Sequence, residues 1–183
     1  MEQVLWTIGH STRTVEDFIK LLGAHDIHLL ADVRVIPYSR RNPQFNTDSL
    51  GKSLEQAGIQ YLTCGELGGR RKAKPDSINL GWRNASFRGY ADYMQTPVFW
   101  QALENLMESA TRTRTAIMCA EAVPWRCHRS LIADALTSRG WTVRHILASD
   151  KADPHHLTSF AAISHGTLTY PAPVLSNEPL QLF

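Results

Sequence analysis

The chain of 183 residues is 43% hydrophobic and 20% charged, which suits one well-buried core and is short for two. Its formal net charge is only +2, but the charges are unevenly distributed along the chain. No apolar run approaches the roughly 20 residues of a membrane span, and MEQVLWTIGH is unlike a secretion signal, so we expect a cytoplasmic protein without a membrane partner.

Apolar periodicity predicts strands that alternate with helices. In chain order, the predicted elements are a strand over 4–10, a helix over 15–25, a strand over 27–34, a helix from 47 or 48 to 57, a strand over 59–64, a helix over 97–110, a strand over 115–119, a helix over 128–138 and a strand over 141–147. Thr14 is suited to cap the first helix, Gly58 to end the second and Pro97 to begin the third. This alternation predicts an α/β fold with a mainly parallel sheet and helices on both faces.

Two parts of the sequence lack regular periodicity and predict a long loop and an irregular C-terminal tail. The stretch GELGGRRKAKPDSINLGWRNASFRG, 65–89, holds too much Gly, charge and Asn for a regular element, and long loops in compact domains are usually functional or disordered. The periodicity weakens from Ser149 onward. We expect a single α/β domain over 1–170 and an irregular C-terminal tail over 171–183.

Three polar clusters directly follow predicted strands. They are Gly9-His10-Ser11-Thr12, Asp32-Val33-Arg34 and Cys119-Ala120-Glu121. Ligands of open parallel sheets bind beyond the carboxyl ends of the strands, so the three clusters should converge on one rim. Any single cluster can be only a helix cap or a loop, but three together favour a binding or catalytic cleft.

Basic residues concentrate in one part of the chain. Between Arg34 and Arg88 lie ten of the 19 basic residues against four acids, a local charge of +6. This block suits a polyanion such as nucleic acid or a phosphorylated substrate, or it is a solvated surface. In the loop YSRRNPQFN, Tyr38 and Phe45 could stack bases while neighbouring arginines neutralise phosphates, although arginine beside aromatics also occurs in ordinary loops.

Four sequence blocks carry a resemblance to a known family. IGHST, ADVRVIPYSRRNPQFN, YLTCGELGG and CAEAVPWRCHRSLIADAL resemble, in order, the characteristic blocks of the domain of unknown function 488 family, over about residues 4–147. The resemblance implies a Rossmann-like α/β fold and supports the rim site. It implies no reaction.

Spacing disfavours a cysteine phosphatase. Such a loop needs its cysteine and arginine closer together than Cys119 and Arg126, between which six residues lie. Glu121 in the intervening turn would also repel the phosphate.

A zinc site is disfavoured on similar grounds. Its ligands would be Cys119, Cys127, His128 and Cys64, but a Cys-x-x-Cys pair is missing, and adjacent residues such as Cys127 and His128 tend to point apart. Three cysteines, an odd number, favour reduced thiols over a disulfide framework. We therefore expect buried thiols, with no metal and no cofactor.

Two interpretations stay open, one catalytic and one not. In the first, Asp32 and Glu121 form an acid/base or nucleophilic pair that acts on a glycosidic bond, and His10 or His128 protonates the leaving group. In the second, the rim binds nucleic acid without turnover, and the carboxylates only orient arginines. In both, phosphate or substrate is bound by Ser11, Arg34, Arg40, Asn42, Gln44, Cys119, Arg126, Cys127 and Arg129. Carboxylates in a cleft for polyanions favour the first interpretation, a DNA- or nucleotide-processing hydrolase.

The tail suggests a protein partner. PLQLF, 179–183, resembles the sliding-clamp-binding peptide of bacteria: Leu180, Leu182 and Phe183 match, and Pro179 stands where Gln is expected. Two apolar side chains and an aromatic ring on a flexible leash can fill a preformed pocket. Alternatively, the tail folds back onto its own domain. Clamp binding would make the noncatalytic alternative an adaptor recruited to DNA replication or repair.

Overall fold

A six-stranded sheet forms the centre of the computed structural model, which describes residues 3–173. Its strands are β1 (Val4–Gly9), β2 (Leu29–Asp32), β3 (Gln60–Thr63), β4 (Thr115–Cys119), β5 (Thr142–Ala148) and β6 (Lys151–Pro154). They are arranged in the order β3-β2-β4-β1-β5-β6, with β6 antiparallel to β5 and the others parallel. A separate hairpin pairs β7 (Ala162–Ser164) with β8 (Thr167–Thr169).

Helices cover both faces of the sheet. They are α1 (Val15–Ala24), α2 (Thr47–Gln56), α3 (Ala85–Tyr93), α4 (Pro97–Arg112) and α5 (Arg129–Ser138). Phe18 of α1 and Leu50 of α2 belong to the core on one face, whereas Tyr90, Phe99 and Leu131 of α3, α4 and α5 belong to the core on the other. Alternating strand residues supply the two cores, and the α/β fold with a mainly parallel sheet is confirmed.

Local signals account for the ends of several helices. The Thr14 side chain accepts a hydrogen bond from the Asp17 amide at 3.1 Å and caps α1, as expected. Pro97 lies in the first turn of α4, where a missing amide costs nothing. Both helices therefore begin where the sequence predicts.

The prediction of one irregular loop over 65–89 was wrong at its C-terminal end, because α3 begins at Ala85. Asn84 caps this helix by accepting from the Ser86 amide at 2.8 Å. Gly89 obscured the helical pattern, yet it is needed there: a Cβ at this position would lie 2.3 Å from the Arg71 carbonyl oxygen of the preceding loop. The loop thus packs directly on the helix that follows it.

The strand order places a crevice between β1 and β4. These neighbouring strands lead to helices on opposite faces, β1 to α1 and β4 to α5, which makes their carboxyl ends the topological switch point. Gly9 and Cys119, the last residues of the two strands, are paired there. Two of the predicted polar clusters therefore meet at the position where such sheets bind ligands.

The end of the chain is described only in part. Tyr170 is fully buried in the core, and residues 171–173 are exposed. Leu180, Leu182 and Phe183 of the predicted clamp-binding peptide lie outside the described residues. No helix within residues 3–173 combines the length and the apolar character that crossing a membrane requires.

Candidate functional site

The loops after the first four strands gather at one edge of the sheet. Residues 10–14 follow β1, 33–46 follow β2, 64–84 follow β3 and 120–128 follow β4. Eight of the ten basic residues between Arg34 and Arg88 lie in the second and third of these loops, the exceptions being Lys52 in α2 and Arg88 in α3. The uneven charge of the sequence therefore becomes a basic rim.

A cavity of about 320 Å³ opens at this rim. Five of the predicted site residues line it: Cys119, Glu121, Arg126, Cys127 and His128. Arg70 and Phe87 also line it, and sequence reasoning did not select them because it assigned 65–89 to an irregular loop. Tyr90, for which the sequence left open a place on this surface or inside a helix, lines the cavity as well and is 1% exposed. A smaller adjoining cavity of about 210 Å³ shares Cys119, Glu121 and His128 and also contacts Arg34.

Cys119, Cys127 and His128 form what we call the thiol–imidazole cluster. Their Sγ, Sγ and Nδ1 atoms all lie within 4.8 Å of one another, and Cys127 Sγ is 3.6 Å from His128 Nδ1. The expectation that Cys127 and His128 point apart was wrong. Cys127 is extended (φ −134°, ψ 146°) and His128 is helical (φ −55°, ψ −13°), so the chain turns between them and both side chains face the same space.

The orientation of the His128 ring is fixed from several sides. Nε2 lies 3.1 Å from the Val33 carbonyl oxygen, which can only accept, so Nε2 carries a hydrogen and the ring turns Nδ1 towards Cys127. Tyr90 packs against the ring with centroids 5.1 Å apart. A Cβ at Gly69 would lie 3.0 Å from Nδ1, so this glycine lets the loop after β3 approach the ring closely.

The two cysteines of the cluster have opposite acidities. The pKa of Cys127 is lowered chiefly by a hydrogen bond from Cys119, with His128 and Arg129 contributing in the same direction. The pKa of Cys119 is raised by the same hydrogen bond and by burial. Within the pair the Cys119 thiol is thus the donor and Cys127 the acceptor, and Cys127 is the more acidic of the two.

Arg129 places a positive charge beneath this cluster. Its side chain is 1% exposed, with Nη1 donating to Thr7 Oγ1 at 3.2 Å and Nη2 to the Glu121 carbonyl oxygen at 2.5 Å. Nε has no partner among the described residues, and within them no carboxylate forms an ion pair with Arg129. A buried guanidinium without a direct carboxylate partner favours an anion nearby, whether thiolate or ligand.

Behind Arg129 lies a hydrogen-bond chain that sequence reasoning missed. Thr7 Oγ1 contacts His145 Nδ1 at 2.8 Å, His145 Nε2 contacts His155 Nδ1 at 3.0 Å, and His155 Nε2 contacts Asp134 Oδ1 at 2.8 Å. Since Thr7 accepts from Arg129, its own hydrogen goes to His145 and each ring passes one hydrogen towards Asp134. The sequence signal for this network was Asp134, a charged residue within the apolar stretch LIADAL, because a buried aspartate needs hydrogen-bond partners.

Asp32 and Arg34 form a buried ion pair rather than an open catalytic group. Arg34 Nε and Nη2 donate to Asp32 Oδ1 and Oδ2 at 2.8 and 2.6 Å, and Tyr61 Oη also donates to Oδ2 at 2.6 Å. Asp32 is 1% exposed, and the Arg34 amide occupies Oδ1 as well. Both oxygens are thus engaged in holding the loop after β2, whereas Glu121 is exposed and lines both cavities.

His10 belongs to the same buried support. Nδ1 contacts the Ser11 carbonyl oxygen at 2.9 Å, Nε2 contacts Arg34 Nη1 at 3.3 Å, and the ring stacks on Phe45. Burial lowers the pKa of His10 to about 4, so the ring is neutral near pH 7. Of the two histidines predicted to transfer a proton, His128 is the one that lines the cavity.

Four other predicted residues surround the site without lining either cavity. They are Ser11, Arg40, Asn42 and Gln44. Ser11 has a left-handed backbone (φ 51°) and donates its amide to the Ala120 carbonyl oxygen, which joins the turns after β1 and β4. The Gln44 side-chain amide donates to the Arg13 carbonyl oxygen, and Arg40 is exposed.

Aromatic side chains stand out from the rim. Tyr38 and Trp125 are each 66% exposed, on the loops after β2 and β4. The expectation that Phe45 stacks bases was wrong, because it is fully buried between His10 and Phe18. Trp125, which sequence reasoning passed over, directly precedes Arg126 of the cavity.

Comparison with known proteins gives one match. The family model described as the domain of unknown function DUF488 matches residues 14–136, a segment that runs from α1 into α5 and contains the thiol–imidazole cluster. No curated protein and no solved structure matches the chain at a significant level.

Proposed function

The chain belongs to the domain of unknown function DUF488 family, and because that name specifies no reaction, we propose from the site itself that the protein is a cytoplasmic hydrolase of nucleic acid or nucleotides. One observation carries the proposal: a single cavity holds Glu121 and the thiol–imidazole cluster beside the exposed Arg70 and Arg126, at a rim whose loops also carry the exposed rings of Tyr38 and Trp125. Such a site combines reactive groups with the means to hold a phosphate-bearing ligand.

The cations around the cavity suit phosphate groups. Arg70 and Arg126 line it and are exposed, and Arg40 and Arg41 lie on the neighbouring loop after β2. Planar guanidinium groups bind phosphate oxygens in pairs, which lysine cannot do with the same geometry. The rim therefore favours a phosphorylated or polyanionic ligand over a neutral one.

The exposed aromatics suit bases. Tyr38 and Trp125 offer ring faces to solvent on two loops of the same rim. Stacking on aromatic rings contributes about 1–3 kcal/mol per base in single-strand binding and tolerates any sequence. Together with the arginines, these rings favour an unpaired base as the part of the ligand that enters the cavity.

The reactive groups differ from the carboxylate pair that the sequence suggests. A glycosidase-like mechanism needs two free carboxyl groups, and the oxygens of Asp32 already accept four hydrogen bonds. Glu121 remains as a general acid or base, with the thiol–imidazole cluster beside it. Hydrolysis in which Glu121 transfers protons fits this arrangement better than double displacement between two carboxylates.

A noncatalytic adaptor is the second candidate. The Asp32–Arg34 ion pair favours it, because orienting arginines is the role it assigns to the carboxylates. In that case the exposed rings and arginines would bind nucleic acid without turnover, and the peptide at Leu180, Leu182 and Phe183 would recruit the protein to a sliding clamp.

Binding to fluorescent single- and double-stranded DNA across a salt series tests the ligand class. We expect Arg126→Ala and Arg70→Ala each to weaken binding and to reduce the salt slope by about one unit. Lys52→Ala is the matched control, because Lys52 belongs to the basic block but lies in α2, away from the rim. Binding that is absent at low salt, or equally weakened by Lys52→Ala, would contradict the proposal.

Glu121→Gln separates the enzyme from the adaptor. The exchange keeps the shape of this exposed side chain and removes its charge, so we expect DNA binding to persist and product formation from oligonucleotides or nucleotides to be lost. If the wild type forms no product, or forms product that Glu121→Gln does not abolish, the hydrolase proposal is contradicted and the noncatalytic adaptor is favoured.

A further inference from the structure

The thiol–imidazole cluster has the donor set of a metal site. We propose that Cys119 Sγ, Cys127 Sγ and His128 Nδ1 bind a zinc ion whose fourth coordination position faces the cavity. The metal site itself does not depend on the proposed hydrolytic function, and only the role given below to Glu121 rests on it.

The distances within the cluster are close to those of a tetrahedral site. Zinc bonds of about 2.3 Å to sulfur and about 2.0–2.1 Å to nitrogen put neighbouring S and N ligands about 3.5 Å apart. The Cys127 Sγ to His128 Nδ1 distance is 3.6 Å, so this edge is already formed. All three atoms lie within 4.8 Å of one another, so the two edges that involve Cys119 exceed a tetrahedral edge by about 1 Å at most.

The imidazole is prepared as a ligand. Nε2 is committed to the Val33 carbonyl oxygen at 3.1 Å, which leaves the Nδ1 lone pair directed to the same space as the two sulfur atoms. Metal-binding histidines almost always donate their other ring N–H in this way, which fixes both tautomer and ring orientation. Gly69 lies against Nδ1 with no side chain to fill the approach.

The surrounding charge suits two thiolates. A divalent ion and two thiolates are together neutral, so the buried cluster carries no net charge when loaded. Arg129, which directly follows the ligand His128, is buried and has no carboxylate ion pair among the described residues, so its positive charge favours anionic ligands nearby. The amino end of α5, which begins at Arg129, adds a favourable partial charge for the anions.

A site with three protein ligands is typical of catalytic rather than structural zinc. Structural zinc sites are closed by four protein ligands, whereas sites with three keep a position for water or substrate. Cys64, the remaining cysteine, lines a different cavity beside α4 and is not part of the cluster. The fourth position therefore opens into the cavity of about 320 Å³ where Glu121 lies.

The sequence around the ligands matches a known way of using such an ion. In zinc-dependent nucleobase deaminases, a glutamate two residues after the first ligand transfers protons and the other ligands follow a proline. Here Glu121 is two residues after Cys119, and Pro124 precedes Cys127 and His128. The agreement is in the order of groups only: Pro124 lies three residues before Cys127, where the signature has its proline directly before the ligand, and the two later ligands are adjacent here instead of separated by two residues.

The implied step is hydrolysis of a nucleobase or nucleotide by water at the fourth position. Water loses a proton to Glu121, its oxygen bonds to the electrophilic carbon, and the bond from that carbon to the leaving group breaks. Glu121 returns the proton to the leaving group, so atoms and charge balance without an oxidant or reductant.

Cobalt(II) titration of the chelator-treated, reduced full-length protein tests the site. Cobalt held by thiolates in a tetrahedral site gives sulfur-to-metal charge-transfer and visible d–d absorption, which free cobalt lacks. We expect saturation at about one ion per chain, bleaching by added zinc, and loss of the signal in Cys119→Ser and Cys127→Ser. Cys64→Ser is the matched control and should behave as wild type.

The outcomes separate the metal site from the proposed function. Absence of the thiolate–cobalt signal in the wild type, or its loss in Cys64→Ser alone, would overturn the zinc site. The wild-type titration is decisive even if a cluster variant fails to fold, which circular dichroism would show. DNA binding measured on the same Cys127→Ser protein tests the proposed function independently, because that binding depends on the rim arginines.

Discussion

At the scale of single residues, Gly9 sets how closely two loops of the site approach. A Cβ at this position would lie 1.8 Å from the Glu121 carbonyl oxygen, the same oxygen that accepts from Arg129. Because the neighbouring atoms are backbone, they cannot swing aside as a long side chain would. A glycine at the end of a strand is thus tied directly to the position of the catalytic candidate Glu121.

Gly9→Ala should destabilise the protein and disturb the cavity. We expect a loss of about 3 kcal/mol in the free energy of unfolding, the upper end of the usual range for overpacking. Urea unfolding measures it, with Gly23→Ala in α1 as the control. Apart from its chain neighbours and the backbone of its own helix, no described atom lies within 4 Å of a Cβ at Gly23, so that exchange should be neutral or stabilising by up to about 1 kcal/mol. Equal stability of the two variants would contradict the close approach.

Asp32→Asn tests whether this carboxylate supports the fold. The exchange leaves Arg34, which is 8% exposed, without its charged partner, and breaking a buried pair in this way costs about 3–5 kcal/mol. Tyr61→Phe removes one hydrogen bond to the same oxygen and should cost only about 1 kcal/mol. Chemical denaturation compares them. An Asp32→Asn protein as stable as wild type, but without turnover, would return Asp32 to the catalytic role.

At the scale of elements, α5 joins the site to the core. Its first residue, Arg129, lies beneath the thiol–imidazole cluster, and Asp134, five residues later, accepts the last hydrogen bond of the chain from His155. The Asp134 carboxylate also accepts from Thr158 and from Tyr170 Oη at 2.8 Å, so the C-terminal part of the domain is anchored to the same helix. A substitution in this hydrogen-bond chain is therefore expected to alter the position of Arg129.

The buried histidines make stability depend on pH. Burial lowers the pKa of His145 to about 3 and that of His10 to about 4, whereas an unfolded histidine titrates near 6.5. Below pH 6.5 these histidines bind protons in the unfolded chain but stay neutral in the folded chain. The free energy of unfolding therefore falls as the pH drops from 6.5 towards 4. Each such histidine costs about 1.4 kcal/mol per pH unit over that window.

His145→Gln should lower by about one the number of protons taken up on unfolding between pH 6 and pH 4, which makes the free energy of unfolding less dependent on pH. Urea unfolding at several pH values gives the slope directly. His156→Gln, at an exposed histidine nearby, is the control and should leave the slope unchanged. A wild-type stability that stays level over this window would contradict a neutral, buried His145.

The sequence predicted elements better than it predicted contacts. Strong apolar periodicity identified five strands and four helices, and α3 was missed because Gly89 and polar residues masked its pattern. The hairpin of β7 and β8 consists of strands of three residues, too short to show alternation. Likewise, Cys119 and Glu121 were found from their place after a strand and His128 from its place at the start of a helix. The sequence left open whether Asp32 is catalytic or orients an arginine, because that choice depends on side-chain geometry that spacing does not encode.

At the scale of the whole molecule, the strand order explains why the site lies where it does. Four loops meet at the carboxyl ends of β1 to β4, and they carry most of the basic block, the exposed rings and the reactive side chains. The opposite edge of the sheet receives the turns that enter the strands, such as residues 25–28 and 113–114. Charge, stacking surface and chemistry are therefore concentrated at one end of the molecule.

Photo-crosslinking of the protein to a single-stranded oligonucleotide with photoreactive bases, followed by peptide mass spectrometry, tests this placement most directly. We expect crosslinks in residues 33–46, 64–84 and 120–128, with Tyr38 and Trp125 foremost, and their loss in Trp125→Ala at that loop. Crosslinks that instead fall on residues 25–28, 57–59 or 139–141, at the opposite edge, would contradict a nucleic-acid site at the cavity.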